Sequence, residues 1–297
     1  MINSIVITGS SGFVGKNLIN FLKNDFEIHT KSIRYKINQE FEIKEDAVIH
    51  SGGIAHDLNK SKLKKEYFES NFLLTKQLFD SFLNSDSKVF IFLSSIKVIS
   101  DFSLDPVTEN SKENPSSFYG ELKLKSENYL LNNITENKRV IILRPTMIYG
   151  LENKGNLNLL IKYCLTGMPW PLASFNNKRS LCSVNNLCYV IKKILLVNPV
   201  SGVYNVCDDE SISTNELVKI IYSTKNKPAV LIKFPKILIS FFGNVGDFFN
   251  LPFNSVVLKK LTVNFVVDNS KIKRNLKIDK MPNRLIHELK KTINALT

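Results

Sequence analysis

The sequence predicts an α/β protein, a doubly wound parallel sheet joined to a smaller, mixed C-terminal lobe. Three observations carry this. Short β-branched runs alternate with segments of helical period up to about residue 150, the alternation loosens beyond it, and a glycine cluster sits where the first run meets the first helix. Taken in order, Ser4 to Thr8 reads as a strand, Val14 to Lys23 as a helix, Phe26 to Thr30 and Ala47 to His50 as the next strands. Tyr67 to Leu83 has helical period, Val89 to Leu93 is a continuous apolar run, Tyr119 to Leu131 is a helix and Val140 to Leu143 a further buried strand. Further on, Leu157 to Leu165 and Leu187 to Leu196 look helical, Val203 to Val206 looks extended, and Thr214 to Tyr222 opens with a Thr-Asn-Glu capping signal. Residues 1–150, with parts of 180–210, are expected to form one unit and 151–297 largely the second lobe.

Composition excludes several classes. The chain has 297 residues, 43% of them hydrophobic and 23% charged, enough for a large core, so disorder is excluded. No apolar run reaches the length of a spanning helix, and Met1 leads directly into Ile5-Val6-Ile7 without a basic leader, which predicts a cytoplasmic protein with no membrane span. Ile237 to Phe253, rich in Phe and Leu but broken by Asn244, Gly246 and Asp247, reads as a buried or interface helix. Cys164, Cys182, Cys188 and Cys207 lack C-x-x-C spacing and the four histidines are scattered, so neither a disulfide framework nor a metal site is expected. The formal charge of +13 is spread along the chain, and its one short cluster, Lys60 to Lys65, reads as a solvated helix face, so no nucleic-acid partner is expected.

Glycine is scarce, 12 residues in 297, yet three fall in Gly9-Ser10-Ser11-Gly12-Phe13-Val14-Gly15, directly after a strand and before a helix. Such a turn lets backbone approach a pyrophosphate and aims amide donors from a helix N-terminus. Gly9, Ser11, Gly12, Phe13 and Val14 are therefore candidate dinucleotide contacts. About 20 residues on, where an acid would bind a ribose 2′-hydroxyl, the chain reads Thr30-Lys31-Ser32-Ile33-Arg34. Lys31 and Arg34 suit a 2′-phosphate, which favours NADP(H) and leaves NAD(H) possible.

Tyr119-Gly120-Glu121-Leu122-Lys123 sets a phenol and an ammonium on one helix face, where the cation is expected to lower the tyrosine pKa. The same spacing at Tyr189 to Lys193 lies among apolar residues and reads as core. Upstream, Ser94-Ser95 ends the Val89 to Leu93 strand, where a hydroxyl, Ser95 in preference to Ser94, could hold a reacting oxygen.

In that order, Thr8 to Gly15, Ser94-Ser95, Tyr119-x-x-x-Lys123 and Leu143-Arg144-Pro145-x-x-Ile148-Tyr149-Gly150 resemble the extended short-chain dehydrogenases/reductases, the nucleotide-sugar epimerase/dehydratase group. The resemblance spans the chain. It implies a Rossmann domain, a nicotinamide cofactor, a Ser95, Tyr119 and Lys123 catalytic group, and cofactor contacts at Ser51, Gly52, Gly53, Asn71 and Pro145. His50 and His56 are read as structural. Family habit allows a homodimer.

Dehydratases of this group use two acids after the strand-end hydroxyl, and here Ile96 and Lys97 stand there. Neither side chain can do carboxyl work. Ser94 to Val98, Lys154-Gly155-Asn156 and Asn177 to Leu181 further resemble bacterial 4-keto-sugar reductases that make UDP-N-acetylquinovosamine. That likeness implies a UDP-linked amino-sugar substrate near Ser95, Lys97 and Asn156, with Arg179 at the diphosphate. The rivals are a UDP-hexose 4-epimerase that retains NAD and a non-catalytic dinucleotide-binding regulator.

Overall fold

A computed structural model describes residues 2–54, 63–103, 105–153, 155–249, 251 and 253–296, without the side chain of Asn156. His56, Lys60, Lys62 and Lys154 therefore lie outside the described residues. In chain order the elements are β1 (Ser4–Thr8), α1 (Phe13–Leu22), β2 (Glu27–Lys31), β3 (Ala47–His50), α2 (Lys64–Phe68), a π-helical turn (Glu69–Leu73), α3 (Leu74–Leu83) and β4 (Val89–Leu93). A 3-10 turn (Ile96–Val98), α4 (Phe118–Asn132), β5 (Arg139–Pro145), β6 (Met147–Tyr149), α5 (Asn156–Leu165) and β7 (Arg179–Ser183) follow. The chain ends with α6 (Val184–Val197), β8 (Gly202–Val206), β9 (Ser211–Ile212), α7 (Thr214–Ser223), α8 (Lys236–Phe248), α9 (Ser255–Thr262), α10 (Ser270–Leu276) and α11 (Leu285–Leu296).

Among the described residues β2-β1-β3-β4-β5-β8 form one all-parallel sheet, and β6-β7-β9 a small mixed one. The expected doubly wound sheet with a smaller mixed partner is thus present. Chain order reverses between β1 and β3, which opens a crevice at their C-terminal ends. Strands buried on both faces explain the unbroken apolar runs: Val89, Phe90, Ile91 and Phe92 are all within 1% of full burial. One face packs on Leu18, Leu22, Leu187 and Ile191 of α1 and α6, the other on Leu78, Phe79 and Phe82 of α3. A separate apolar cluster joins Leu157 and Ile161 of α5 to Leu217 and Ile221 of α7 and Leu289 of α11.

Several boundaries move by a residue, as β2 does from Phe26 to Glu27. Helix α7 is capped not from within its Thr-Asn-Glu run but by Ser213, whose hydroxyl accepts from the Glu216 amide while the Glu216 carboxylate accepts from the Ser213 amide. The Phe-rich segment, expected to be a buried or interface helix, is not buried within the chain, which leaves the interface reading. Only Ile239, Gly243 and Gly246 of α8 face inward, while Ile237 is 84% and Phe248 81% exposed.

Candidate active site

The site is assembled around the β1/β3 crevice. Gly9 has φ +73, and a Cβ there would stand 2.6 Å from the Gly52 amide nitrogen, so only glycine lets the two loops approach. The Gly12 amide donates back to the Gly9 carbonyl (3.0 Å), and Gly12 opens α1, whose first turn carries no acidic residue. The helix therefore presents a row of unpaired amides and an unopposed positive end. A glycine cradle that a side chain would fill, beside such a terminus, fits a dinucleotide pyrophosphate.

Across the crevice the Ser51 hydroxyl donates to the Thr8 carbonyl (2.8 Å). Asn71 is fully buried in the π-helical turn; its Oδ1 accepts from the Ile54 amide (2.8 Å) and its Nδ2 donates to the Ile54 carbonyl (3.1 Å). A Cβ on Gly53, φ +145, would stand 2.5 Å from that Oδ1. Asn71 thus shapes the 51–54 loop and does not itself line the cavity. His50 is fully buried, with Nδ1 2.6 Å from the Thr8 hydroxyl and Nε2 3.0 Å from the Thr75 hydroxyl. Burial, and then the Lys123 charge, lower its pKa to about 3, so it remains neutral.

A cavity of about 1550 Å³ runs from the glycine turn to the second sheet and takes in Gly9, Ser11, Gly12, Phe13, Val14, Ser51, Gly52, Gly53, Ser95, Lys97, Tyr119, Lys123, Pro145 and Arg179. Lys31 and Arg34 are not on its wall. Lys31 donates to the Glu42 carbonyl and Arg34 lies exposed, because the chain leaves the sheet after β2. Asn156 begins α5, next to Gly155 on the wall.

Helix α4 supplies two of these groups. Ser117 caps it, accepting from the Gly120 amide at 3.2 Å, and Gly120 packs so closely that a Cβ would lie 2.6 Å from the Lys97 carbonyl. This contact holds the helix start against the turn after β4, and Tyr119 and Ser95 line the cavity together. The Lys123 ammonium, 3% exposed, donates to the Leu93 carbonyl at 2.8 Å and lies 5.9 Å from the centroid of the Tyr119 ring. Burial lowers the Lys123 pKa to about 8 against the raising pull of Glu127. The expectation that this cation lowers the tyrosine pKa is corrected: burial outweighs the lowering influence of the nearby Ser95 hydroxyl and pushes Tyr119 up to about 12.

Ser94 and Ser95 both touch the cavity, but the Ser94 hydroxyl is buried and donates to Glu127, while Ser95 lines the wall with Tyr119. Glu127, two turns beyond Tyr119, accepts both Nε contacts of the buried Arg144 at 3.0 and 3.1 Å, and Arg144 reaches Glu113 as well. The clamp ties α4 to β4 and β5. Arg144 had been visible only as part of a motif.

At the far end, Arg179 opens β7, donates to the Val263 carbonyl at 3.3 Å and lies over the Phe265 ring at 5.7 Å. Lys97 and Arg179 are both lowered by burial and raised by Asp101. Asp101, Asn153, Trp170 and Lys260 also line this end. Sequence reading missed them, since only the return of distant segments brings them there.

The chain matches the NAD dependent epimerase/dehydratase family over residues 5–207. It is 30% identical to a UDP-glucose 4-epimerase of Vibrio cholerae over 322 aligned positions, which cover 99% of this chain and 96% of that protein. Among solved structures it resembles the UDP-glucuronic acid 4-epimerase from Bacillus cereus in complex with NAD, with a TM-score of 0.76 at 18% identity over 99% of this chain and 98% of that one. The RMD protein from Pseudomonas aeruginosa complexed with NADPH gives a TM-score of 0.75 at 17% identity over 99% of both chains. A glycine cradle at the β1/β3 crevice, the Ser95, Tyr119 and Lys123 wall and these likenesses have one meaning: the chain belongs to the NAD dependent epimerase/dehydratase family.

Proposed function

We propose that this protein uses NADPH to reduce the C4 ketone of a UDP-linked 4-keto-6-deoxy-N-acetylhexosamine. The observation that carries the reading is the single cavity wall that Ser95, Tyr119 and Lys123 share, Lys123 one helical turn beyond Tyr119, with the glycine turn opening alongside. Gly9, Gly12 and the start of α1 would hold the dinucleotide pyrophosphate, and Ser51 to Gly53 and Pro145 would flank it. When bound, the reduced cofactor supplies the hydride that the sugar carbon accepts.

Tyr119 gives its phenolic proton to the C4 oxygen as that oxygen gains negative charge. A tyrosine pushed up to about 12 holds its proton until the acceptor becomes a strong base, which suits a donor. Ser95 donates to the same oxygen and fixes its place. Lys123, held by the Leu93 carbonyl, supplies positive charge beneath Tyr119 as the phenolate forms. Water then returns the proton to Tyr119. Dehydration is disfavoured, since an aliphatic Ile96, which is buried, and an amine, Lys97, stand where two carboxyl groups are needed.

Choice of NADPH rests on Lys31, the last residue of β2, Arg34 just after it, and the want of an acid in residues 30–34. A second reading, 4-epimerisation of a UDP-hexose with retained NAD, is favoured by the name of the Vibrio cholerae relative. One assay separates them. With the UDP-4-keto sugar made in place by a dehydratase, a reductase consumes one reduced cofactor per 4-hydroxy sugar formed. No consumption, together with conversion of UDP-hexose by the protein without added cofactor, would replace the first reading by the second.

A further inference from the structure

Helix α8 is apolar on both sides. Ile239, Gly243 and Gly246 recur at helical spacing and seat it on α9, where a Cβ on Gly243 would meet Leu258 at 3.3 Å and one on Gly246 would meet the Asn254 Cα at 3.1 Å. The opposite face carries Ile237, Leu238, Phe241, Phe242, Phe248 and Phe249, between 50% and 84% exposed. Their rings are paired outward, Phe241 with Phe242 at 5.9 Å and Phe248 with Phe249 at 5.0 Å between centroids. A contiguous exposed apolar face of this kind is ordinarily covered.

Charge says by what. From residue 225 to 260 the chain has six lysines, Lys225, Lys227, Lys233, Lys236, Lys259 and Lys260, and one acid, Asp247, which already accepts from the Ser255 amide. A twofold contact between two copies would set this excess of like charge against itself. An anionic bilayer satisfies both features, since phenyl rings enter the acyl boundary while lysines meet the headgroups. The helix is 13 residues long, and no helix among the described residues is long and apolar enough to cross a membrane, so the contact is with the surface.

We infer that the outward face of α8, with the exposed Lys233 and Lys236 at its start, docks this protein on the surface of an anionic phospholipid bilayer. Continuity with the cavity gives the contact a consequence, because Phe253, Val257 and Lys260 line the cavity's outer end and lie directly after α8. The reaction site would then open near the headgroup layer.

The test is sedimentation of the full-length protein with vesicles of phosphatidylcholine alone and of phosphatidylcholine with roughly 30% phosphatidylglycerol, at low and high salt. Binding is expected on the second only, weakened by salt as a Debye length shortens. Phe241→Glu with Phe248→Glu should lower the bound fraction at least about tenfold, and Lys233→Glu with Lys236→Glu by a similar factor. These side chains are exposed, and unchanged thermal melting and NADPH-induced stabilisation would establish that each variant is folded. No sedimentation of the wild type with either vesicle overturns the inference. So does equal binding by the Phe variant, or a wild-type oligomer that the Phe variant dissolves while neither binds vesicles, which would make a second copy the cover.

Discussion

Lys123 stands one helical turn beyond Tyr119, yet its ammonium gives its hydrogen bond to the Leu93 carbonyl at 2.8 Å and lies 5.9 Å from the centroid of the tyrosine ring. The pair shares a wall without sharing a proton. Burial raises the phenol and lowers the amine, so their pKa values are about 12 and about 8, reversed from the usual order of separation between an acid and its tuning cation.

Replacing Tyr119 with Phe removes the proton donor and leaves the glycine cradle intact. Turnover should fall by about 10²-fold or more, while NADPH still raises the melting temperature. An active Tyr119→Phe protein would remove Tyr119 from the mechanism.

Burial of Lys123 also leaves a pH signature. Its pKa is about 8 in the folded chain and 10.5 ordinarily, so between those values the unfolded chain binds the extra proton and stability rises with pH. The penalty is full below about pH 8. Urea unfolding across this window should show the Lys123→Met variant lacking the rise, and parallel curves for the two proteins would refute it.

His50 gives the acid counterpart. Its pKa falls from 6.5 to about 3 on folding, so the unfolded chain takes up the proton first and stability is lost as pH falls from about 6.5 towards 3. At about 1.4 kcal/mol per unit the full effect is roughly 5 kcal/mol, an upper figure for a neutral, hydrogen-bonded ring. His50→Gln, which can keep one hydroxyl contact, should flatten this acid limb in denaturation measured at successive pH values.

Glu127 and Arg144 are each 1% exposed and bind one another through two Nε contacts. Glu127→Gln leaves a buried guanidinium short of its counter-charge and should cost about 3–5 kcal/mol in urea unfolding. The double variant Glu127→Met with Arg144→Leu should recover much of that. If Glu127→Gln is as stable as the wild type, the clamp does not hold α4.

Cofactor choice is tested at the end of β2. Lys31→Ala with Arg34→Ala should raise the KM for NADPH about tenfold and leave that for NADH nearly unchanged, as expected for charge-assisted contacts to a 2′-phosphate. Equal effects on both cofactors would deny these cations a role in the choice.

Much of the fold was legible because its signals are local. Buried parallel strands are continuous apolar runs, and the run Val89 to Leu93 is the strand β4 to the residue. The capping of α7 was seen one residue late, since a box is set by Ser213 and Glu216 together and not by the Thr-Asn-Glu string. For helix α8 the sequence left burial and interface open, because apolar composition reports that a surface wants cover and not whether the same chain provides it.

By itself the sequence determined the glycine turn between β1 and α1, the serine at the end of β4, and a tyrosine and lysine one turn apart on α4. Each lies within a window of a few residues, where backbone geometry and side-chain period are decided. Only the tertiary structure decided that Ser94 turns to Glu127 while Ser95 meets Tyr119, that Asn71 shapes the 51–54 loop, and that Asp101 and Lys260 join Lys97 and Arg179. It also decided the direction of the Tyr119 pKa. These properties depend on which distant segments exclude water from a given group, and desolvation is set by packing across the whole chain.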